Sequence, residues 1–336
     1  MDTDRDMGIT RRQANPELTT RADLAELAAI GDAQIKKTIP QNTRRAYAHD
    51  LKHFQQWASD RGLEVMPAAP DTVRLYAIAL DQAEKKPATI ARRLSAISKA
   101  HRLKGFLSPI DPAVKEQLAA IRRERGTAQR KARPLLAADI KRMIQSSKPD
   151  VIGKRNRALL LVGFGAALRR SEIAALDVGD IEINDEGAIV TIRRSKTDQT
   201  GQGERIAIPR LPDQAAQFCP VRTVAHWIQI SKIDSGPLFR PIGRAGRNVF
   251  FSAIGNGRLN NKTISDIIKG MIQAAGMNPA HYSAHSLRAG WATEAARTGL
   301  DFAYLKQHTR HRSSTIAAGY IREANIFKVN PIALFF

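Results

Sequence analysis

The residues best suited to chemistry lie toward the carboxyl end, between His285 and Tyr320. His285-Ser286-Leu287-Arg288 sets an imidazole and a guanidinium three residues apart in a segment of helical composition, which predicts both on the same face of one helix turn. His311 precedes Tyr320 by nine residues, with the small residues Ala317, Ala318 and Gly319 leading into the phenol. An imidazole and a guanidinium on one face, with a phenol on a separate element, are the groups needed to hold a phosphodiester and attack it. Upstream, Leu168-Arg169-Arg170-Ser171-Glu172 places Arg169 among Leu168, Ile173 and Leu176, all expected inside. An arginine there requires an anion: Glu172 as the structural partner, a DNA phosphate as the functional one. Lys196, in Arg193-Arg194-Ser195-Lys196-Thr197, closes a strand-like run and opens a turn of Gly, Gln and Thr.

In this order, Arg169, Lys196, His285 with Arg288, His311 and Tyr320 resemble the motifs of the tyrosine recombinases, also called phage integrases, across roughly residues 20–325. Two positions depart from the family pattern. Ala167 stands where a glycine is frequent, and Arg310 where a glycine commonly precedes the second histidine. The resemblance implies a mainly α fold with a small antiparallel β-sheet. A four-helix, SAM-like core-binding domain that grips one side of the duplex would precede a tyrosine-recombinase catalytic domain. It also implies a 3′-phosphotyrosyl intermediate, strand exchange through a Holliday junction, and a homotetramer on DNA with a dimer on each site. The free protein would be a monomer.

Composition sets independent bounds. The 336 residues are enough for two cores of ordinary size. The chain has no run of eighteen apolar residues and no signal peptide, so a soluble cytoplasmic protein away from the membrane is expected. Its one cysteine, Cys219, excludes intrachain disulfides and cysteine-based zinc sites. Lys plus Arg is 53 against 32 for Asp plus Glu, a formal net charge of +21. Such an excess points to a polyanion, because phosphate neutralisation with counterion release drives sequence-independent binding. The charge is also concentrated: residues 84–133 hold fourteen Lys or Arg and four Asp or Glu.

Periodicity organises the rest. Residues 1–20 lack apolar rhythm and read as a mobile segment. Residues 21–126 read as a helical DNA-binding domain. Its apolar stripes are Tyr47, Leu51, Phe54 and Ala58; Val73, Tyr76, Ala77 and Leu80; Ile90, Leu94 and Ile97; and Val114, Leu118 and Ile121. Arg92, Arg93, Lys99 and Arg102 fall outside the third stripe. A basic run with Arg122, Arg123, Arg130 and Lys131 leads through the linker 127–134, and both groups are assigned to phosphate contact. Residues 135–325 form the catalytic domain. Within it, alternation at Ile181–Ile183, the β-rich stretch Ala188–Ile192 and alternation at Arg205–Ile208 predict a three-stranded antiparallel sheet, with Lys196 entering its second turn. The apolar tail 326–336 either folds back on its own core or docks on a neighbouring subunit.

Tyr320 is the expected nucleophile. Its phenol, ordinarily with a pKa of roughly 10, needs cations and a base beside it. Arg169 and Arg288 are expected to bind the two non-bridging oxygens through paired charge-assisted bonds. His285 would accept the tyrosine proton, His311 would hydrogen-bond the phosphate, and Lys196 would protonate the leaving 5′ oxygen. Glu172 would support the Arg169 helix. Carboxylates do not cluster near these motifs in the manner that holds Mg²⁺, so no metal is expected. A tyrosyl phosphodiester keeps the energy of the broken bond, and there is no P-loop, so ATP is not expected either. Double-stranded DNA with a specific recombination site is the expected partner. A type IB topoisomerase shares the nucleophile, and a non-catalytic architectural DNA-binding protein shares the fold. The apolar tail disfavours the first, and the complete set of reacting groups disfavours the second.

Overall fold

The computed structural model describes residues 41–126, 132–193, 203–243, 254–283, 285–324 and 332. The segment 1–20, Arg130, Lys131, Lys196 and, apart from Ile332, the tail 326–336 lie outside the described residues. The chain divides into two compact units, Met1–Gln129 and Arg130–Phe336.

The described part of the first unit holds helices α1 (Gln41–Ser59), α2 (Pro70–Gln82), α3 (Pro87–Leu103) and α4 (Pro112–Arg125). Three of the four begin on proline, whose fixed φ suits a first helical position and whose missing N–H costs nothing there. Asp111 caps α4 by accepting from the Val114 N–H at 2.8 Å, and Gly126 leaves the helix at φ 72°. The predicted stripes meet in one core that includes Phe54, Val73, Tyr76, Ile90, Leu94, Ile97, Val114 and Ile121. Burying a Phe or Ile side chain there contributes about 2–3 kcal/mol. The placing of Arg93 among the outer residues of α3 is corrected here. It is 6% exposed, its Nε lies 3.6 Å from the buried Asp50, and its Nη1 donates to the Tyr76 hydroxyl at 3.2 Å. A buried carboxylate needs a cation, and Arg93 turns inward to supply it. Arg92, Arg102, Arg122 and Arg123 are exposed, and Lys99 is half-buried.

The second unit opens with α5 (Ala137–Gln145), α6 (Val151–Gly165) and α7 (Arg170–Ala175). Asp139 accepts from the Leu136 N–H at 3.0 Å and Asp150 from the Gly153 N–H at 2.7 Å, so two acids begin α5 and α6. Helix α6 carries Leu159, Leu160, Leu161 and Val162 through the middle of the core. Strands β1 (Ile181–Ile183), β2 (Gly187–Ile192) and β3 (Glu204–Pro209) form the antiparallel sheet in the order β1-β2-β3. Val190 faces Ile181 on one side and Ile206 on the other, and the alternate residues Ala188, Val190, Ile192, Ile206 and Ile208 all point into the core.

Helices α8 (Pro220–Ser231), α9 (Asn261–Ala274), α10 (Ser286–Arg297), α11 (Phe302–Thr309) and α12 (Ser314–Ala324) complete the unit. Helix α10 lies hard against the strand-like entry to α5. The Leu135 N–H donates to the Ser286 carbonyl at 2.9 Å, and a Cβ added at Gly290 would sit 1.7 Å from the Leu135 carbonyl oxygen. Only glycine allows that approach. A small separate cluster of Ala296, Leu305 and Ala317 seats α11 and α12 on α10.

Candidate active site

Five of the six sequence-derived candidates lie within the described residues, and the helix ends of the second unit bring them together. His285 occupies the N-cap of α10 in αR conformation, one position earlier than a helical residue, with Arg288 in the first turn behind it. Arg169 is the N-cap of α7. Its side chain is 17% exposed and donates through Nη1 to Glu172 Oε1 at 2.6 Å. His311 follows α11, and Tyr320 lies on α12 with its ring against His311, centroids 5.7 Å apart. Lys196 lies outside the described residues.

The two departures from the family pattern share one physical cause. Ala167 ends α6 at φ 47° and Arg310 ends α11 at φ 53°. At the first, Ala167 N–H bonds the Phe164 carbonyl at 2.9 Å and Leu168 N–H the Gly163 carbonyl at 2.8 Å. At the second, Arg310 N–H bonds the Gln307 carbonyl at 3.0 Å and His311 N–H the Lys306 carbonyl at 3.1 Å. Both are Schellman terminations, which place a left-handed residue just past the helix and favour glycine there. Alanine and arginine instead accept a strain of about 1–2 kcal/mol each.

Cations dominate the site. Arg288 is fully buried, donating through Nη1 to the Ala167 carbonyl at 3.0 Å and through Nε to His311 Nε2 at 3.5 Å. Its Nη2 is buried without a hydrogen-bond partner among the described residues. Burial first, then the neighbouring Arg169 and Arg310, pull its pKa down to about 9, while Glu172 and Tyr320 oppose the shift. It is still charged at neutral pH, and an unpaired N–H on a buried cation calls for an anion. Glu172 is buried; burial pushes its carboxyl up, but Arg310 and the backbone N–H and guanidinium of Arg169 outweigh that and hold it below the usual range. The residue that sequence reasoning passes over is Arg310. In the sequence it registers only as an absent glycine, yet its side chain is buried on Glu172 Oε2 at 2.8 Å.

The histidines are held neutral. Burial, followed by Arg288, Arg169, His285 and Arg310, drops His311 to about 3. Its tautomer follows from its partners. The Thr309 hydroxyl donates to the Leu305 carbonyl at 2.6 Å, so it accepts from His311 Nδ1–H at 2.7 Å and leaves Nε2 as the acceptor facing Arg288. His285 reaches the surface, but partial desolvation and then Arg288 and Arg169 lower its pKa. Burial raises the phenol of half-buried Tyr320, with Arg288 pulling the other way, so the nucleophile candidate is protonated at neutral pH and lies within the field of Arg288. Among the described residues no group of three or more His, Cys, Asp or Glu side chains is placed to hold a metal ion.

Comparison with known proteins now gives this arrangement its class. The phage integrase family pattern matches residues 133–325, and the N-terminal SAM-like domain of phage integrases matches residues 32–104. An integrase/recombinase xerD homolog of Selenomonas ruminantium is 35% identical over 304 residues, covering 89% of this chain and 86% of the relative. The recombinase cre of Escherichia phage P1 is 25% identical over 301 residues, covering 85% of each. Among solved structures, XerH site-specific recombinase bound to palindromic difH substrate in a post-cleavage complex superposes with a TM-score of 0.60 at 14% identity, covering 94% of this chain and 92% of that one. The chain belongs to the phage integrase family, the site-specific tyrosine recombinases, enzymes that break and rejoin DNA strands.

Proposed function

We propose that this recombinase cuts DNA by attack of Tyr320 on the scissile phosphorus, with Arg169 and Arg288 holding the non-bridging oxygens. The phenolic oxygen forms a bond to phosphorus as the bond to the 5′ oxygen breaks. The phenol proton passes to neutral His285, and Lys196 supplies a proton to the leaving oxygen. Rejoining is the same exchange reversed, with a 5′ hydroxyl of the new strand displacing Tyr320, so neither ATP nor a metal is required. The observation that carries this reading is the buried, unpartnered Nη2 of Arg288 beside Tyr320 and His311. His311 orients Arg288 in the arrangement described, and donates to the phosphate once its proton moves from Nδ1 to Nε2.

The partner is double-stranded DNA carrying a recombination site, gripped in part by the exposed Arg92, Arg102, Arg122 and Arg123 and the half-buried Lys99 of the helical unit, with Arg130 and Lys131 as further phosphate contacts. The working assembly is four subunits, a dimer on each duplex, with tail 326–336 as a subunit contact. The helical unit ends at residue 126, the linker at 134 and the catalytic unit at 325. No helix among the described residues is long and apolar enough to cross a membrane, and we place the enzyme in the cytoplasm on its DNA. A nicked duplex carrying the site tests the chemistry. The full chain becomes covalently attached to the cut strand, and Tyr320→Phe does not. Attachment that persists without the phenol removes Tyr320 as nucleophile.

A further inference from the structure

Arg310 is charged, 5% exposed and held at a left-handed φ of 53°, in a turn that glycine would occupy without strain. Its side chain is committed to protein. Nη1 donates to the Ala166 carbonyl at 3.2 Å and the His308 carbonyl at 2.8 Å. Nη2 donates to the Ala167 carbonyl at 3.0 Å and to Glu172 Oε2 at 2.8 Å, and Nε faces Glu204 Oε2 at 3.4 Å. Both terminal nitrogens of Arg310 are therefore spent on protein acceptors and its Nε, though without a hydrogen bond, faces a carboxylate, whereas the terminal Nη2 of Arg288 has no hydrogen-bond partner among the described residues.

Its partners are the groups that fix the other two arginines. The Ala167 carbonyl accepts from Arg288 Nη1 as well as from Arg310. Glu172 is shared with Arg169, and Arg169 Nη2 donates at 3.1 Å to the main-chain carbonyl of Arg310 itself. One residue thus ties the end of α6, the start of α7 and the end of α11 into a single unit with a guanidinium on either side.

We infer that Arg310 is a positioning residue that sets the separation and aim of Arg169 and Arg288, an inference that rests on their proposed role as the phosphate clamp. Without it, the Ala167 carbonyl and Glu172 each lose a donor, and both clamp arginines lose the common point that registers them. Because charge in the transition state must meet donors already in place, a small misalignment slows cleavage. Site binding is spread over many phosphates and survives.

The test uses the full chain and a nicked duplex whose sequence is recovered by selecting random duplexes on the wild-type protein. The scissile position is prepared as a phosphodiester and as a methylphosphonate, which lacks one non-bridging charge and so needs less from a guanidinium. Binding is read by gel shift, folding by circular dichroism, and strand cleavage in single turnover for wild type, Arg310→Gly, Arg310→Lys and Arg288→Ala. The expected result is near wild-type binding by both Arg310 variants, phosphodiester cleavage slowed on the order of 10- to 100-fold, and most of that loss recovered on the methylphosphonate. Wild-type cleavage by Arg310→Gly, or an equal deficit on both substrates, overturns the inference; should that variant be unfolded, Arg310→Lys is judged by the same two criteria. Arg288→Ala separates the two levels. If it gains nothing on the methylphosphonate, the clamp itself is wrong and the inference falls with it. If it recovers while the Arg310 variants do not, only the inference falls.

Discussion

His308 and His311 are neutral because of where they sit, and that has a cost at low pH. His308 stacks on Trp291 at 3.8 Å, accepts no solvent on that face, and is pushed down to about 4, chiefly by burial. His311 is at about 3. An unfolded histidine titrates near 6.5, so the unfolded chain takes up the proton first. The stability these two rings lend is complete above that value and drains as pH falls toward 4 and then 3. At pH 5 the loss is about 2 kcal/mol for each ring. Urea unfolding of the full chain at pH 7 and pH 5 should show it, and a His308→Gln/His311→Gln variant should lose most of the difference. An unchanged pH dependence in that variant places the effect elsewhere. At the same scale, Arg288→Lys keeps a charge but not the fork that reaches the Ala167 carbonyl and leaves a second nitrogen for the phosphate proposed to bind there. Site binding should persist while single-turnover cleavage falls by roughly 100- to 1000-fold, and near-normal cleavage would count against the clamp. The candidate reacting residues are legible in the sequence. Arg310 and Thr309 are not, because their work is to hold a turn and a tautomer that exist only once α11 has ended.

Among elements, α12 is the least secured of those that carry the site. Ala317 is its one fully buried side chain among the described residues, and the cluster beneath it is small. The element that carries Tyr320, the proposed nucleophile, is therefore held by little apolar packing, which makes it prone to local opening. Leu305→Ala removes the largest member of that cluster and should cost about 2–4 kcal/mol locally. Hydrogen exchange at amides 314–324 should quicken and cleavage should slow, while DNA binding stays. Protection equal to wild type would show that α12 is anchored by something else. Helix existence is readable from apolar spacing and from the prolines that open α2, α3 and α4. Two helix ends are not, because the usual glycine signal is missing at Ala167 and Arg310 and packing imposes the turn instead.

For the whole molecule, the formal charge of +21 governs how strongly it meets a polyanion. Replacing the exposed Arg102, Arg122 and Arg123 by glutamine should lower the salt slope of DNA binding by nearly three, at about 0.9 for each phosphate left without its cation. Arg93→Gln, although it stands beside Arg92 in sequence, should leave the slope alone and lower the melting temperature, because buried Asp50 loses a partner. A slope that responds to Arg93 and ignores the other three would place the DNA on a different face.

The class of reaction, the helical and sheet segments and the polyanionic partner were all readable before any fold was known. Each follows from residue type, spacing or summed charge, quantities that do not depend on where distant segments meet. Folding settled which arginines face solvent and which face a carboxylate, why two glycine positions tolerate larger residues, and which nitrogen of His311 carries the proton. Those outcomes depend on partners far apart in the chain, such as Arg310 with Glu172 or Arg288 with Ala167, and pairings of that kind come into being only when the core closes.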